Sequence, residues 1–411
     1  MPIIGDNMVS VKRKNRSAAL RLLQEEGSMS RKRLAEKLGL TPAAITKIAG
    51  EMLSEGLLRE GDALPSGSAG RREILMELNP HSFCALGVLI NLRQAILTAL
   101  WLDSTVIFSE EISIPLSAPA DETTEMLADR LLALITQHNL PQEKVIGLGI
   151  AVRGICSADG RTVIDSFGAF SEKRYPLCRR MEELTGYPAV MANNVRALFA
   201  AQMFLSHDPS VGAQFFLRCE YGIGASLSVN GQIWHGVSEQ CAEIGHIPVI
   251  PRGGKPCSCG KSGCLQTISS PMAICEDART AFSEEKTPLL WSRWKDRDLS
   301  ALQPEDVLEA ARNGDLGSCQ IIDRAVNALA SALKSVIYLF DPGKIILYGR
   351  LFENPYYLSR LLSEMREGVD TRHEVQIEKS AYNQQLEKRA AGLLAVDSFF
   401  RNGGEPLPGS N

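Results

Sequence analysis

No stretch of this 411-residue chain stays apolar for the roughly 18 positions that a membrane-crossing helix requires, which excludes such a helix. The N-terminus lacks the apolar core of a secretory signal, so the chain is expected to work in the cytoplasm. A large net charge is missing as well: 44 Lys+Arg against 48 Asp+Glu leave −4. With 45% hydrophobic and 22% charged residues the composition is that of an ordinary globular protein, and 411 residues predict two or three domains. A core of that size needs neither disulfides nor a metal to fold the whole chain. In a reducing compartment the ten cysteines stay mostly thiols, and closely spaced ones read first as metal ligands.

What is present is unevenly spread. Residues 1–80 hold 13 Lys+Arg and 10 Asp+Glu, while the remainder holds 31 and 38. Within 11–33, Lys12, Arg13, Lys14, Arg16, Arg21, Arg31, Lys32 and Arg33 face only Glu25 and Glu26. A basic head on an acidic body points to an anionic partner at one end. Helical periodicity starts near Asn15, with Ala18, Leu22 and Leu23 as its stripe, and stops at Gly27. Ser30 suits the cap of a second helix, and Thr41 followed by Pro42 suits the start of a third that ends at Gly56. Two helices joined by a short turn holding Gly39 form a helix-turn-helix pattern.

Strand-like "LLREG" and "REILMEL" then flank a Pro/Ser/Gly tip with Arg71 and Arg72, as a wing would. A helical hairpin used only for dimerisation is the bland alternative; charge, turn and wing together favour duplex DNA. Thr41, Ala43, Ala44, Thr46 and Lys47 fall on the exposed start of the recognition helix. Thr46 and Lys47 suit bases or phosphates, and the alanines allow close approach. Lys12, Lys14, Arg16, Arg31 and Lys32 read as charges that position the backbone.

From Phe83 the pattern becomes three strands ("FCALGVLIN", "QAILTALW", "TVIFSEEISI"), a helix, and the strand "VIGLGIAV". Near 212–250 three more strand runs appear ("AQFFLRCE", "GASLSVNG", "QIWHGV"), followed by helices over 305–339 and the strand "KIILYG". This double use predicts two similar α/β lobes with a ligand between them. Between the second set of strands and its helices lies "CSCGKSGC". Cys257, Cys259 and Cys264, with His246 upstream, suit tetrahedral zinc, and glycines in the spacer let the chain turn tightly. Four protein ligands leave no position for an activated water, so the ion would be structural. The spacing alone leaves open a reduced cysteine loop without metal.

"MELNP" (76–80), "GIAVRGICSADG" (149–160), "EYGIGASLSVNGQIWHG" (220–236), "EIGH" (243–246) and "CSCGKSGCLQT" (257–267) together resemble the ROK family of repressors, open reading frames and sugar kinases. The resemblance covers essentially the whole chain and looks like the repressor branch. It implies an N-terminal winged helix-turn-helix over 1–80 and an actin-like, hexokinase-like two-lobed α/β domain. The first lobe would span 81–200, completed by a C-terminal helix at about 383–400. The second, carrying the zinc loop, would span 201–382. It also implies zinc on His246, Cys257, Cys259 and Cys264, and a sugar held by Glu243 and His246. Arg153, Gly154, Asn193, Asn194 and Gln266 are further candidate ligand contacts. Gln266 stands where the family commonly has Glu, and Arg153 replaces a usual proline.

The departures bear on catalysis. Where the family's kinases carry a D-x-G-G-T-type loop this chain has "GVLINLRQA", with Asn91 or Leu89 at the Asp position. Glu220 and Tyr221 replace the Gly and Thr of a second phosphate loop, and Tyr348 stands in a third. Asn193-Asn194 replaces Asn-Asp, and an amide cannot take up a proton at neutral pH. The expectation is a regulator without kinase activity: a sugar-responsive repressor, homodimeric or homotetrameric, on operator double-stranded DNA. An active kinase with an appended head, or a regulator controlled by a protein partner, are the alternatives.

Overall fold

Side-chain caps decide where the head's helices begin. In the computed structural model, which describes residues 8–64, 73–206, 212–237, 240–367, 374–380 and 384–407, helix α1 spans Met8–Glu26 and strand β1 Met29–Ser30. The Ser30 hydroxyl accepts the Arg33 amide at 3.3 Å and starts α2 (Arg31–Leu38), which ends on left-handed Gly39. Thr41 accepts the Ala44 amide at 3.3 Å and starts α3 (Pro42–Ser54), with Pro42 in the first turn. Strands β2 (Leu58–Leu64) and β3 (Glu73–Leu78) run antiparallel, and β1 joins the other side of β3. The tip with Arg71 and Arg72 lies outside the described residues.

Helix α1 differs from its expected form in two ways. It begins at Met8 rather than near Asn15, and its buried face is Arg16, Ala19, Leu20 and Leu23, not Ala18 and Leu22. Positions 16, 19, 20 and 23 form one i, i+3, i+4, i+7 stripe that includes a charge, which a hydrophobicity reading misses. Arg16 is therefore not a surface charge for DNA. It is 3% exposed. Its guanidinium bonds Glu55 at the end of α3, lies 3.5 Å from Glu51, and donates from Nε to the Gly403 carbonyl at 2.6 Å. Arg21 meets Asp397 at 2.8 Å, and Gln24 donates to the Phe204 carbonyl at 3.1 Å.

The chain divides into two units, 1–207 with 384–411, and 208–383. In the first, β4 (Cys84–Ile90), β5 (Gln94–Trp101) and β6 (Val106–Ser113) form an antiparallel meander. Then come α4 (Ala120–Gln137), β7 (Val145–Val152), the small hairpin β8 (Ile155–Cys156) and β9 (Val163–Asp165), α5 (Leu177–Thr185), β10 (Ala189–Asn193) and α6 (Asn194–Ser206). The sheet order is β10-β7-β4-β5-β6, with β4, β7 and β10 parallel. Every residue of β4 is buried, as a strand covered on both faces must be.

The second unit repeats that order. Strands β11 (Ala213–Cys219), β12 (Ile223–Val229) and β13 (Gln232–Ile233) open it. The helices α7 (Gln266–Ser269), α8 (Pro271–Ala281), α9 (Pro288–Trp294), α10 (Pro304–Arg312) and α11 (Leu316–Phe340) follow. Then come β14 (Lys344–Tyr348), α12 (Arg350–Glu353), α13 (Pro355–Arg366) and β15 (Gln376–Lys379). The sheet reads β13-β12-β11-β14-β15. Both sheets are thus ordered third, second, first, fourth, fifth, which is the duplicated plan expected from the strand pattern. The last helix, α14 (Gln384–Arg401), returns to the first sheet. It lies so close that a β-carbon on Gly149 would stand 1.8 Å from the Ala391 carbonyl, and one on Gly87 2.5 Å from the Gly392 nitrogen.

Candidate functional site

On the head, Thr41, Ala43, Thr46 and Lys47 are exposed along the start of α3, and Ala44 is half-buried. The hydroxyls serve the helix itself: Thr41 caps it, and Thr46 donates to the Pro42 carbonyl at 2.8 Å. Each hydroxyl oxygen retains capacity to accept a further bond. Arg31 is paired with Glu60 of β2 at 3.3 Å, and Lys12 with Glu51 of α3 at 2.8 Å. The first pair links α2 to β2 and the second links α1 to α3.

In the first unit the carboxyl ends of the parallel strands gather polar groups, the usual place for ligands in sheets of this kind. Asn91 follows β4, Arg153 and Gly154 follow β7, and Asn193 ends β10. The Arg153 amide donates to the Ile90 carbonyl at 2.9 Å. Gly154 has φ +124, and a β-carbon there would stand 2.0 Å from the Asp165 carbonyl, so the turn requires glycine. Asn193 spends both ends of its amide locally: Nδ2 donates to the Gly154 carbonyl and Oδ1 accepts the Val195 amide at 2.8 Å. That makes it a tie between the 154 turn and α6. Asn194 is 5% exposed and donates to Asn91 Oδ1 at 3.4 Å. Of the two residues offered for the Asp position, Leu89 is buried in β4 and Asn91 is the one beside Asn194. Asn91 was not among the expected ligand contacts, although its place just after an apolar strand is the signal that finds it.

The second unit holds the cysteine loop. His246 ends a 3-10 turn, Ile244–His246, that packs on Ile223 so tightly that Gly245 has no room for a β-carbon. Gly260 and Gly263 both have positive φ, at +84° and +74°, and allow the loop to close. One ligand atom from each of His246, Cys257, Cys259 and Cys264 lies within 4.8 Å of all the others. Cys257 Sγ is 3.5 Å from His246 Nδ1, and Cys259 Sγ is 3.7 Å from Cys264 Sγ. Tetrahedral zinc would set sulfur–nitrogen and sulfur–sulfur separations of about 3.5 Å and about 3.8 Å, and these two pairs match them. None of the ten cysteines forms a disulfide.

Electrostatics within the loop are mixed. Burial pushes the Cys257 thiol up, but hydrogen bonds from Cys259 and Gln266 outweigh it and leave the thiol below its ordinary value. Cys264, fully buried, is pushed by burial, with Cys259 and Cys257 adding to it, to about 12. Burial and then Lys261 lower the His246 imidazole, which favours the neutral ring that ligates a metal. Glu243 is exposed at the start of the same turn.

Two of the positions compared with phosphate loops are engaged within the fold. Glu220 does not stand open: its Oε1 accepts the Arg350 amide at 2.9 Å, at the first residue after the Gly349 turn. Tyr348 is not presented to a ligand at all. It ends a strand covered on both faces and is fully buried, with its ring 5.7 Å from Phe216.

A winged helix-turn-helix joined to a duplicated five-stranded α/β body of the actin-like, sugar-kinase type is therefore the class this chain falls in. The sequence model of the ROK family matches residues 94–395, well over half of the chain, and that of a winged helix-turn-helix DNA-binding domain matches 12–59. The chain belongs to the ROK family. It is 28% identical over 352 residues to the DNA-binding transcriptional dual regulator NagC of Escherichia coli, covering 84% of this chain and 83% of that one. It is also 28% identical, over 226 residues, to a glucokinase of Halalkalibacterium halodurans, covering 55% of this chain and 68% of that enzyme. Among solved structures, a ROK family transcriptional regulator described as a homologue of the E. coli MLC protein has the same fold. It has a TM-score of 0.79 at 23% identity and covers 96% of this chain and 98% of that one. Among the described residues no helix is long and apolar enough to cross a membrane.

Proposed function

We propose that this chain is a sugar-responsive transcriptional regulator, a cytoplasmic repressor that binds operator double-stranded DNA as a homodimer or homotetramer. The observation that carries this reading is the union, in one chain, of a winged helix with a ROK body that has Asn194 where the kinases carry their base. An amide at that position hydrogen-bonds a hydroxyl but does not deprotonate it. Asn91 beside it is likewise neutral, so the pair offers no carboxylate for a magnesium ion. Thr41, Ala43, Ala44, Thr46, Lys47, Arg31, Arg71 and Arg72 are assigned to DNA. Arg153, Gly154, Asn194, Glu243 and His246 are assigned to the sugar, with Asn91 added and Asn193 kept as the residue that shapes the turn.

The cysteine loop is assigned to structural Zn²⁺ on His246, Cys257, Cys259 and Cys264. Bound there, the ion cross-links the loop and supplies no open coordination position. Its place next to Glu243 means that it would hold the sugar-contacting turn still. Sugar binding regulates DNA affinity only to the extent that the sugar binds the DNA-competent and incompetent forms unequally.

A second reading, an active sugar kinase with an added head, is favoured by the match to a glucokinase. One experiment separates the two. The purified protein is mixed with sugars and sugar phosphates, with and without ATP, and followed by thermal shift and by a coupled assay for ADP. Stabilisation by a sugar without ADP formation supports the regulator; turnover that a cleft substitution abolishes overturns it.

A further inference from the structure

Gln266 is the first residue of α7, two residues beyond Cys264, yet its side chain turns back onto the cysteine loop. Nε2 lies 3.2 Å from Cys257 Sγ and 3.2 Å from Ser258 Oγ. The other end of the amide rests on the turn before β12, where a β-carbon on Gly222 would come within 3.0 Å of Gln266 Oε1. Glycine at 222 thus leaves the seat that the amide occupies. An amide N–H donating to sulfur is a weak bond when the sulfur is a thiol and a stronger one when it is an anionic thiolate. A centre of one Zn²⁺ and three thiolates carries a net negative charge, which a neutral donor eases. A carboxylate in the same place would add a like charge about 3 Å from the sulfur, and repulsion at that distance is costly in a partly dry site.

Resting on the zinc reading above, we propose that Gln266 is a positioning residue of the metal centre. Its N–H···S bond, seated against Gly222, orients the Cys257 thiolate, holds the ion, and withdraws electron density from the sulfur.

The test uses the full chain loaded with cobalt(II) in place of zinc. Loss of a hydrogen bond raises the donor level of a thiolate. The sulfur-to-cobalt charge-transfer band should therefore move to longer wavelength in Gln266→Ala, and at least as far in Gln266→Glu. In the zinc-loaded protein, release to a chromogenic chelator should be about ten-fold faster in Gln266→Ala. Gly222→Ala, which pushes the amide off its seat without touching the loop, should shift both readouts the same way by less, and it serves if the Gln266 variants fold poorly. Unchanged band and release rate in a variant that keeps one metal per chain overturn the proposal and leave the zinc reading intact. Wild-type protein that takes up neither metal overturns both.

Discussion

The two sheets share one strand order and differ in how their helices close on them and in what stands at their strand ends. The first is glycine-lined where α14 crosses it: Gly87 and Gly149 bring backbone against backbone. The second is lined by Phe215, Leu217, Ile345 and Leu347, packed against the long α11. At the strand ends the first carries the amides of Asn91 and Asn194, and the second carries Glu220 closed on the Arg350 amide. Topology is a property of backbone and pattern, and it survives changes at a few loop positions; chemistry lives at those positions and does not. A family can therefore keep both repeats while the groups at the strand ends change.

The comparison can be broken at its most constrained points. The largest effect is expected from Cys257→Ser in the second unit: metal content measured by mass spectrometry or chelator assay should fall from one per chain to nearly none, and proteolysis should cut between 240 and 267. Full metal content would remove Cys257 from the ligand set. Next comes Gly149→Ala in the first unit. A single added methyl meets a carbonyl at 1.8 Å, so urea unfolding should show a loss of about 3 kcal/mol. If alanine is tolerated there, the close approach of α14 is wrong. Arg16→Ala should cost about 2 kcal/mol, because it removes charged hydrogen bonds to Glu55 and leaves the Gly403 carbonyl unpaired. Arg16→Lys should recover only part of that, since one ammonium cannot serve both sides. The smallest effect on the fold is expected from Lys47→Ala, which should leave stability unchanged, weaken duplex binding, and reduce its salt slope by about 1. An unchanged gel-shift affinity would count against the assignment of α3 to DNA.

Much of this was legible in the sequence where the physics is local. Ser30, Gly39 and Thr41 set helix ends through their own side chains or backbone, so their roles show in a window of a few residues. The His/Cys cluster was legible for the same reason: Cys257, Cys259 and Cys264 come from one short loop. Arg16 was not, because its partner carbonyl lies 387 residues away and a charged residue on a buried stripe looks like surface. The burial of Tyr348 was not legible either, because it follows from β14 being paired with β11 and covered on both faces. Gln266 was placed by analogy with the sugar site, and only its folded-back rotamer brings it to sulfur.

The most direct test of the account is fluorescence anisotropy of a labelled duplex, selected by the protein itself from random DNA and titrated with hexoses, pentoses, amino sugars and their phosphates in the absence of ATP. The account predicts a salt-sensitive complex whose apparent Kd moves by about ten-fold or more with one sugar class, a coupling of about 1.4 kcal/mol. A protein that retains no duplex at low salt and phosphorylates a hexose when given ATP would contradict it.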